Sequence, residues 1–171
     1  LSKGALVTTH KIDLLKAFGA RVVITPTDVP ANSPRSYYET AKRIAGETPN
    51  SFYLNQYHNP DNIEAHYYST GLEIYEQAEG KIDYFVAGIG TGGTMSGAGK
   101  YLKEKLPKIK NVGVDPIGSV FYDYFKTGKL VEPHVYKVEG IGEDMLTGAM
   151  DFSVVDDIIQ VSDRECFLAA R

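Results

Sequence analysis

Residues 88–96 read Gly-Ile-Gly-Thr-Gly-Gly-Thr-Met-Ser, placing glycines and hydroxyls side by side. Glycine lets the main chain approach a ligand closely, and the free N–H groups at the start of a following helix are donors reinforced by the helix dipole. An anion belongs at such a place. The hydroxyls of Thr91, Thr94 and Ser96 add donors that suit a terminal phosphate monoester with its three oxygens. The spacing Gly88-x-Gly90-x-x-Gly93 also fits the dinucleotide fingerprint, and Asp115, 22 residues beyond Gly93, stands where such folds put the acid that holds a ribose. Residue types and spacing therefore leave two ligands open, a phosphate monoester and a dinucleotide such as NAD.

The elements that must position this loop can be read around it. Residues 83–90 form an apolar strand running into glycine, a helix is expected over about 94–106, and residues 111–116 form another strand. Upstream, Ile12, Leu15 and Phe18 stand at helical spacing before Gly19, and Val22, Val23 and Ile24 read as a strand. Ser33 with Pro34 is expected to start a helix running to about Ile44, and residues 51–56 read as a short strand. Asn59 with Pro60 starts a mostly helical stretch to about Ala78. Near the end, residues 158–162 read as a strand, and Ser162 with Glu165 has capping-box spacing for a last helix. Strands alternating with helices predict an α/β fold with a parallel sheet.

With 171 residues, 43% hydrophobic and 23% charged, the chain has the make-up of a folded globular protein. Its net charge of −4 names no polyanionic partner, and Lys100, Lys103, Lys105, Lys108 and Lys110 read as a solvated helix end, so no nucleic acid is expected. No membrane is expected either: no run approaches 18 apolar residues and no secretory leader is apparent, which makes the cytoplasm the expected location. His10, His58, His66 and His134 lack ligand spacing, so no metal is expected and these histidines read as structural or surface residues. Cys166 reads as a core thiol, Asp156 with Asp157 as a solvated turn, and Asp115 as a helix cap more than a ribose ligand.

Whole segments then resemble the cystathionine β-synthase and cysteine synthase family of pyridoxal-phosphate enzymes: residues 55–77, 85–105, 112–119 and 136–145. The resemblance runs from Lys11 to Arg171 and implies the tryptophan-synthase β-like architecture, fold type II. Residues 1–48 would then belong to a smaller α/β domain and 49–171 to a larger one that grips the cofactor phosphate. It implies pyridoxal 5′-phosphate as cofactor, held by Gly90, Thr91, Gly92, Gly93 and Thr94. Gln56 and Tyr57 match residues beside the amino-acid substrate, and Gly140, Ile141 and Gly142 match a loop on the substrate side. Asp115, and Asp144 followed by Met145, are similar to the cystathionine β-synthase branch more than to the cysteine synthase branch.

The activity so implied joins serine and homocysteine into cystathionine in a homodimer or higher homo-oligomer. A cysteine synthase using O-acetylserine, and an NAD-binding regulatory module, are the alternatives. The family's Schiff-base lysine, its ring-hydroxyl asparagine, its substrate-carboxylate loop and its glycine-serine loop match nothing in residues 1–171. Lys3 stands too close to Phe18 to be that lysine, so an internal piece of a longer chain, inactive alone, is expected.

Overall fold

The computed structural model describes residues 9–26 and 29–171. The chain divides into two compact units, one up to Tyr53 and one from Leu54 onward. In the first, α1 (Thr9–Ala17) ends against Gly19, whose φ of +83° and N–H bond to the Lys16 carbonyl close the helix as its glycine leads one to expect. Helix α2 (Tyr37–Glu47) starts three residues later than Ser33 and Pro34 imply. Ser36 is the cap: its buried hydroxyl accepts from the Glu39 N–H at 3.2 Å and donates to the Ala31 carbonyl at 2.7 Å. Ser33 instead accepts from the Arg35 N–H within the preceding turn.

The strands expected at 22–24 and 51–56 do not form. Both stretches carry strand-type side chains, but a strand exists only in a ladder, and neither finds one among the described residues. Val23, Ile24, Phe52 and Leu54 are accordingly exposed.

The second unit holds the predicted parallel sheet. Strands β1 (Tyr84–Gly88), β2 (Lys110–Pro116) and β3 (Asp157–Val161) lie in that order, all parallel, with Gly88 opposite Val114 and Val114 opposite Ile159. Before the sheet come α3 (Pro60–Ala65), a π-helical turn (His66–Gly71) and α4 (Leu72–Gln77), one continuous rod that Asn59 caps by accepting the Asp61 N–H. Helix α5 (Gly93–Lys105) follows β1, and it buries Met95, Ala98 and Leu102 at the three- and four-residue spacing of a core-facing stripe. Helix α6 (Phe121–Thr127) and α7 (Asp163–Ala169) complete the unit, the latter with both bonds of its capping box formed.

The core beneath the sheet gathers Ile89, Met95, Val120, Phe121, Val154, Val155 and Ile158. At about 25 cal/mol per Å² of apolar surface removed from water, each such side chain contributes roughly 1.5–3 kcal/mol. Two expectations for single residues change. Asp156 does stand at an exposed bend, but it also binds Lys103 at 2.7 Å and accepts the Asn111 N–H, and Asp157 is not in the turn: it opens β3 and pairs with Lys126. Burial alone would raise the Asp156 pKa, but the hydrogen bonds from Lys103 and Asn111 and the charges of Lys103 and Lys110 outweigh it and hold the carboxyl below its ordinary value. Cys166 is half-buried, not a core thiol, because only part of α7 finds something to pack against.

Candidate functional site

Residues 89–92 leave the carboxyl end of β1 and lead directly into α5. Gly92 sits at φ +91° as the residue before the helix, and a Cβ there would lie 2.6 Å from the Met150 Cα, so geometry and space both require glycine. A Cβ on Gly93 would run into the Asn62 side chain. Among the described residues no side chain caps α5, so the N–H groups of its first turn have no side-chain cap there.

The loop is braced from two sides: the Thr147 hydroxyl donates to the Thr91 carbonyl at 2.7 Å and the Gly142 N–H to the Ile89 carbonyl at 2.6 Å. Beside it the Ala149 N–H donates to the Tyr57 carbonyl at 3.0 Å. His58 accepts the Gly148 N–H at 3.0 Å through Nδ1.

These bonds bring together most of what the sequence proposed for the site. Ile141 lies over Gly88 so closely that a side chain there would collide with it, and Gly90 faces the Gly140 carbonyl. Tyr57 is tied through its carbonyl to the segment behind Gly92, and Gln56 through its carbonyl to Asn62, while the Gln56 side chain is exposed. Gly90, Thr91, Gly92, Gly93 and Thr94 therefore share one end of the sheet with Gln56, Tyr57, Gly140, Ile141 and Gly142. Ser96 is the exception among the expected hydroxyl donors. It is buried, donates to the Ala149 carbonyl at 2.8 Å and accepts the Asp151 N–H at 2.8 Å, because its place on α5 turns it toward the core.

Asp115 does not face the loop. It is fully buried, its Oδ2 accepts the Tyr122 N–H at 2.9 Å at the start of α6, and Oδ1 has no hydrogen-bond partner among the described residues. Burial pushes its pKa up to about 6 against the opposing hydrogen bonds from Ser119 and Tyr122. The acid that a dinucleotide's ribose would need is thus a helix cap inside the core. No group of three or more His, Cys, Asp or Glu side chains that could hold a metal occurs among the described residues.

Asn62 and His66 are the site residues that sequence reasoning missed. Asn62 Nδ2 donates to the Gln56 carbonyl at 2.7 Å and to Thr91 Oγ1 at 3.1 Å. His66 Nε2 is 3.1 Å from Thr94 Oγ1, and its Nδ1 is 2.9 Å from Thr70 Oγ1. The available signal was the four-residue spacing of Asn62, His66 and Thr70, a polar stripe along one side of a helical rod.

Residues 4–171 match the family model described as pyridoxal-phosphate dependent enzyme. The chain belongs to this family. It is 45% identical over 165 residues to a cystathionine beta-synthase of Apis mellifera, covering 96% of this chain and 32% of that protein. A cystathionine beta-synthase of Dictyostelium discoideum is 42% identical over 165 residues, covering 96% of this chain and 33% of its own length. A cysteine synthase B of Campylobacter jejuni is 36% identical over 158 residues, covering 92% of this chain and 50% of its own length. The chain thus spans about a third of the length of the cystathionine beta-synthases it matches.

The family's cofactor is pyridoxal phosphate, and the residues present fit its phosphate end. Gly92 and Gly93 let the loop pack directly against Met150 and Asn62, and the helix start without a side-chain cap and the half-exposed hydroxyls of Thr91 and Thr94 lie together on this loop. The phosphate monoester, one of the two ligands the glycine spacing left open, is the one this geometry suits.

Proposed function

We propose that the complete protein carrying these residues joins L-serine and L-homocysteine into cystathionine, releasing water, a β-replacement in cysteine biosynthesis. The observation that carries the reading is the glycine-threonine cradle at the carboxyl end of β1, built for a phosphate monoester in a chain 45% identical to a cystathionine beta-synthase. When bound, pyridoxal phosphate supplies an electron sink for bond breaking at the amino acid's α-carbon. The chain's own part is to hold and orient.

The N–H groups of the first α5 turn and the hydroxyls of Thr91 and Thr94 bind the phosphate, each charge-assisted bond worth about 1.5–3 kcal/mol. The Gln56 amide and Tyr57 phenol position the substrate carboxylate. Gly140, Ile141 and Gly142 line the substrate side, where Ile141 excludes water from the loop it covers. The lysine that bonds the cofactor aldehyde comes from residues outside these 171. In this reading residues 1–48 belong to the smaller domain and 49–171 to the larger, and the protein works in the cytoplasm as a homodimer or higher homo-oligomer.

The cysteine synthase reading draws on the 36% identity to the Campylobacter jejuni protein. The two separate cleanly in assay. The complete protein, loaded with pyridoxal phosphate, is given serine with homocysteine in one reaction and O-acetylserine with sulfide in another. Cystathionine from the first pair is the expected product, and cysteine from the second with no cystathionine from serine would move the assignment to cysteine synthase.

A further inference from the structure

The hydroxyls of Thr91 and Thr94 can donate to a phosphate only if their protons point at it. A threonine hydroxyl has one proton and two lone pairs, and it turns to suit its neighbours. A neighbour that accepts from it would take that proton away, whereas a neighbour that donates to it leaves the proton for the ligand.

Asn62 is such a donor. Its Nδ2 carries two hydrogens, one directed to the Gln56 carbonyl at 2.7 Å and the other to Thr91 Oγ1 at 3.1 Å. Because Nδ2 has no lone pair to offer, Thr91 is necessarily the acceptor, and its own proton is released toward the open side of the loop. His66 Nδ1 lies 2.9 Å from Thr70 Oγ1 and Nε2 lies 3.1 Å from Thr94 Oγ1. In the tautomer whose Nδ1 accepts from the Thr70 hydroxyl, Nε2 carries the hydrogen and donates to Thr94, the same relation that Asn62 has to Thr91. In the other tautomer Thr94 would give its proton to the ring and present only lone pairs to an anion.

Close packing fixes both donors in place. A Cβ on Gly97 would collide with the Ile63 carbonyl and lie 2.8 Å from the His66 Cβ, and a Cβ on Gly71 would lie 2.8 Å from the Tyr101 Cβ. Glycines at these two positions let the rod of residues 60–77 lie directly against α5. The π-helical turn begins at His66 and contains Thr70, and π turns recur where a functional residue must be re-aimed.

We propose that Asn62 and His66 are positioning residues that set the hydrogen-bond direction of the phosphate loop: each donates to a loop threonine, so that both hydroxyl protons are aimed at the cofactor phosphate. The inference rests on the pyridoxal phosphate reading of the loop. It concerns only the phosphate end of the ligand, which gives it a selective readout.

The test compares two ligands of the apo form of the complete protein: pyridoxal 5′-phosphate, and pyridoxal, which has the same ring without the phosphate. Asn62→Asp keeps the side-chain shape but turns the donor into an acceptor. His66→Ala removes the ring, and His66→Gln restores an N–H near the place of Nε2. Asn62→Asp and His66→Ala are each expected to weaken pyridoxal phosphate about tenfold, as the loss of one charge-assisted bond implies, and to leave pyridoxal affinity within about twofold. His66→Gln is expected to recover most of the loss, and the ³¹P resonance of the bound phosphate should shift in the first two variants and return in the third. Equal weakening of both ligands would mean that the two residues only support packing, and an unchanged preference for the phosphorylated ligand would overturn the proposal. Asn62→Asp alone decides if His66→Ala folds poorly. A wild-type protein with no preference for the phosphorylated ligand would instead bring down the phosphate reading itself.

Discussion

Asp115 shows how a single side chain can be placed by sequence and yet be given two opposite meanings. Its distance from Gly93 suits a ribose ligand, while its position before Pro116 suits a helix cap, and full burial beneath α6 decides for the cap. Burial also has a measurable consequence. The folded-state pKa is raised to about 6 from an ordinary 3.8, so folding favours the protonated form. The associated stability is fully present below about pH 3.8 and is lost as pH rises through about 6, a change of about 3 kcal/mol at 1.36 kcal/mol per pKa unit. Asp115→Asn keeps an oxygen for the Tyr122 N–H and has nothing to ionise. The stability of wild type relative to this variant should therefore fall by about 3 kcal/mol between pH 3 and pH 7 and stay level above it. Urea midpoints across that range check this, and a difference independent of pH would mean that Asp115 titrates as an exposed carboxylate does. At this scale the site was half legible. Gly90, Thr91, Gly92, Gly93 and Thr94 announce themselves by local composition, but Asn62 and His66 act on residues 29 and 28 positions away, which only tertiary packing brings near.

At the scale of elements, β1, α5, β2, β3 and the capping box of α7 are legible in local pattern, and the three strands also find one another as ladder partners. Residues 22–24 and 51–56 fail as strands for the converse reason: their side chains suit a sheet, but pairing depends on a partner far away in sequence. The π-helical turn has no signal of its own, being a response to the way α5 lies against residues 60–77. That contact is set by Gly97. Alanine is the better helix former by up to about 1 kcal/mol, and in an exposed helix Gly97→Ala would stabilise. Here the added methyl meets the Ile63 carbonyl, a backbone atom that cannot rotate away, and overpacking of this kind costs about 1–3 kcal/mol or more. Overpacking wins, so Gly97→Ala should lower the thermal midpoint and weaken pyridoxal phosphate binding together, as His66 is carried away from Thr94. A raised midpoint in calorimetry would show that the rod moves aside freely.

Within the second unit, the described residues leave one face of the sheet exposed. The core lies against the side that carries Phe85, Ala87 and Ile158, whereas Tyr84, Val86 and Ile159 on the opposite side are exposed and Val112 and Val114 between them are only half-buried. The register places Val86 beside Val112 and Val114 beside Ile159, making this a continuous apolar surface. Parallel sheets are found with both faces covered, because their strands are apolar on both sides. A cover for this face is therefore expected in the complete protein, which in the cystathionine beta-synthase relatives is about three times as long as the 171 residues given. Val86→Asp separates the covered from the bare state. Under a cover the short carboxylate is buried without a partner and should cost about 3–5 kcal/mol of stability. In the 171-residue chain alone, where Val86 is 56% exposed, the same change should cost less than about 1 kcal/mol and reduce self-association by breaking the apolar patch. Denaturation of both forms, with sedimentation of the shorter one, gives the comparison. Equal small losses in the two would show that this face stays open to solvent in the complete protein.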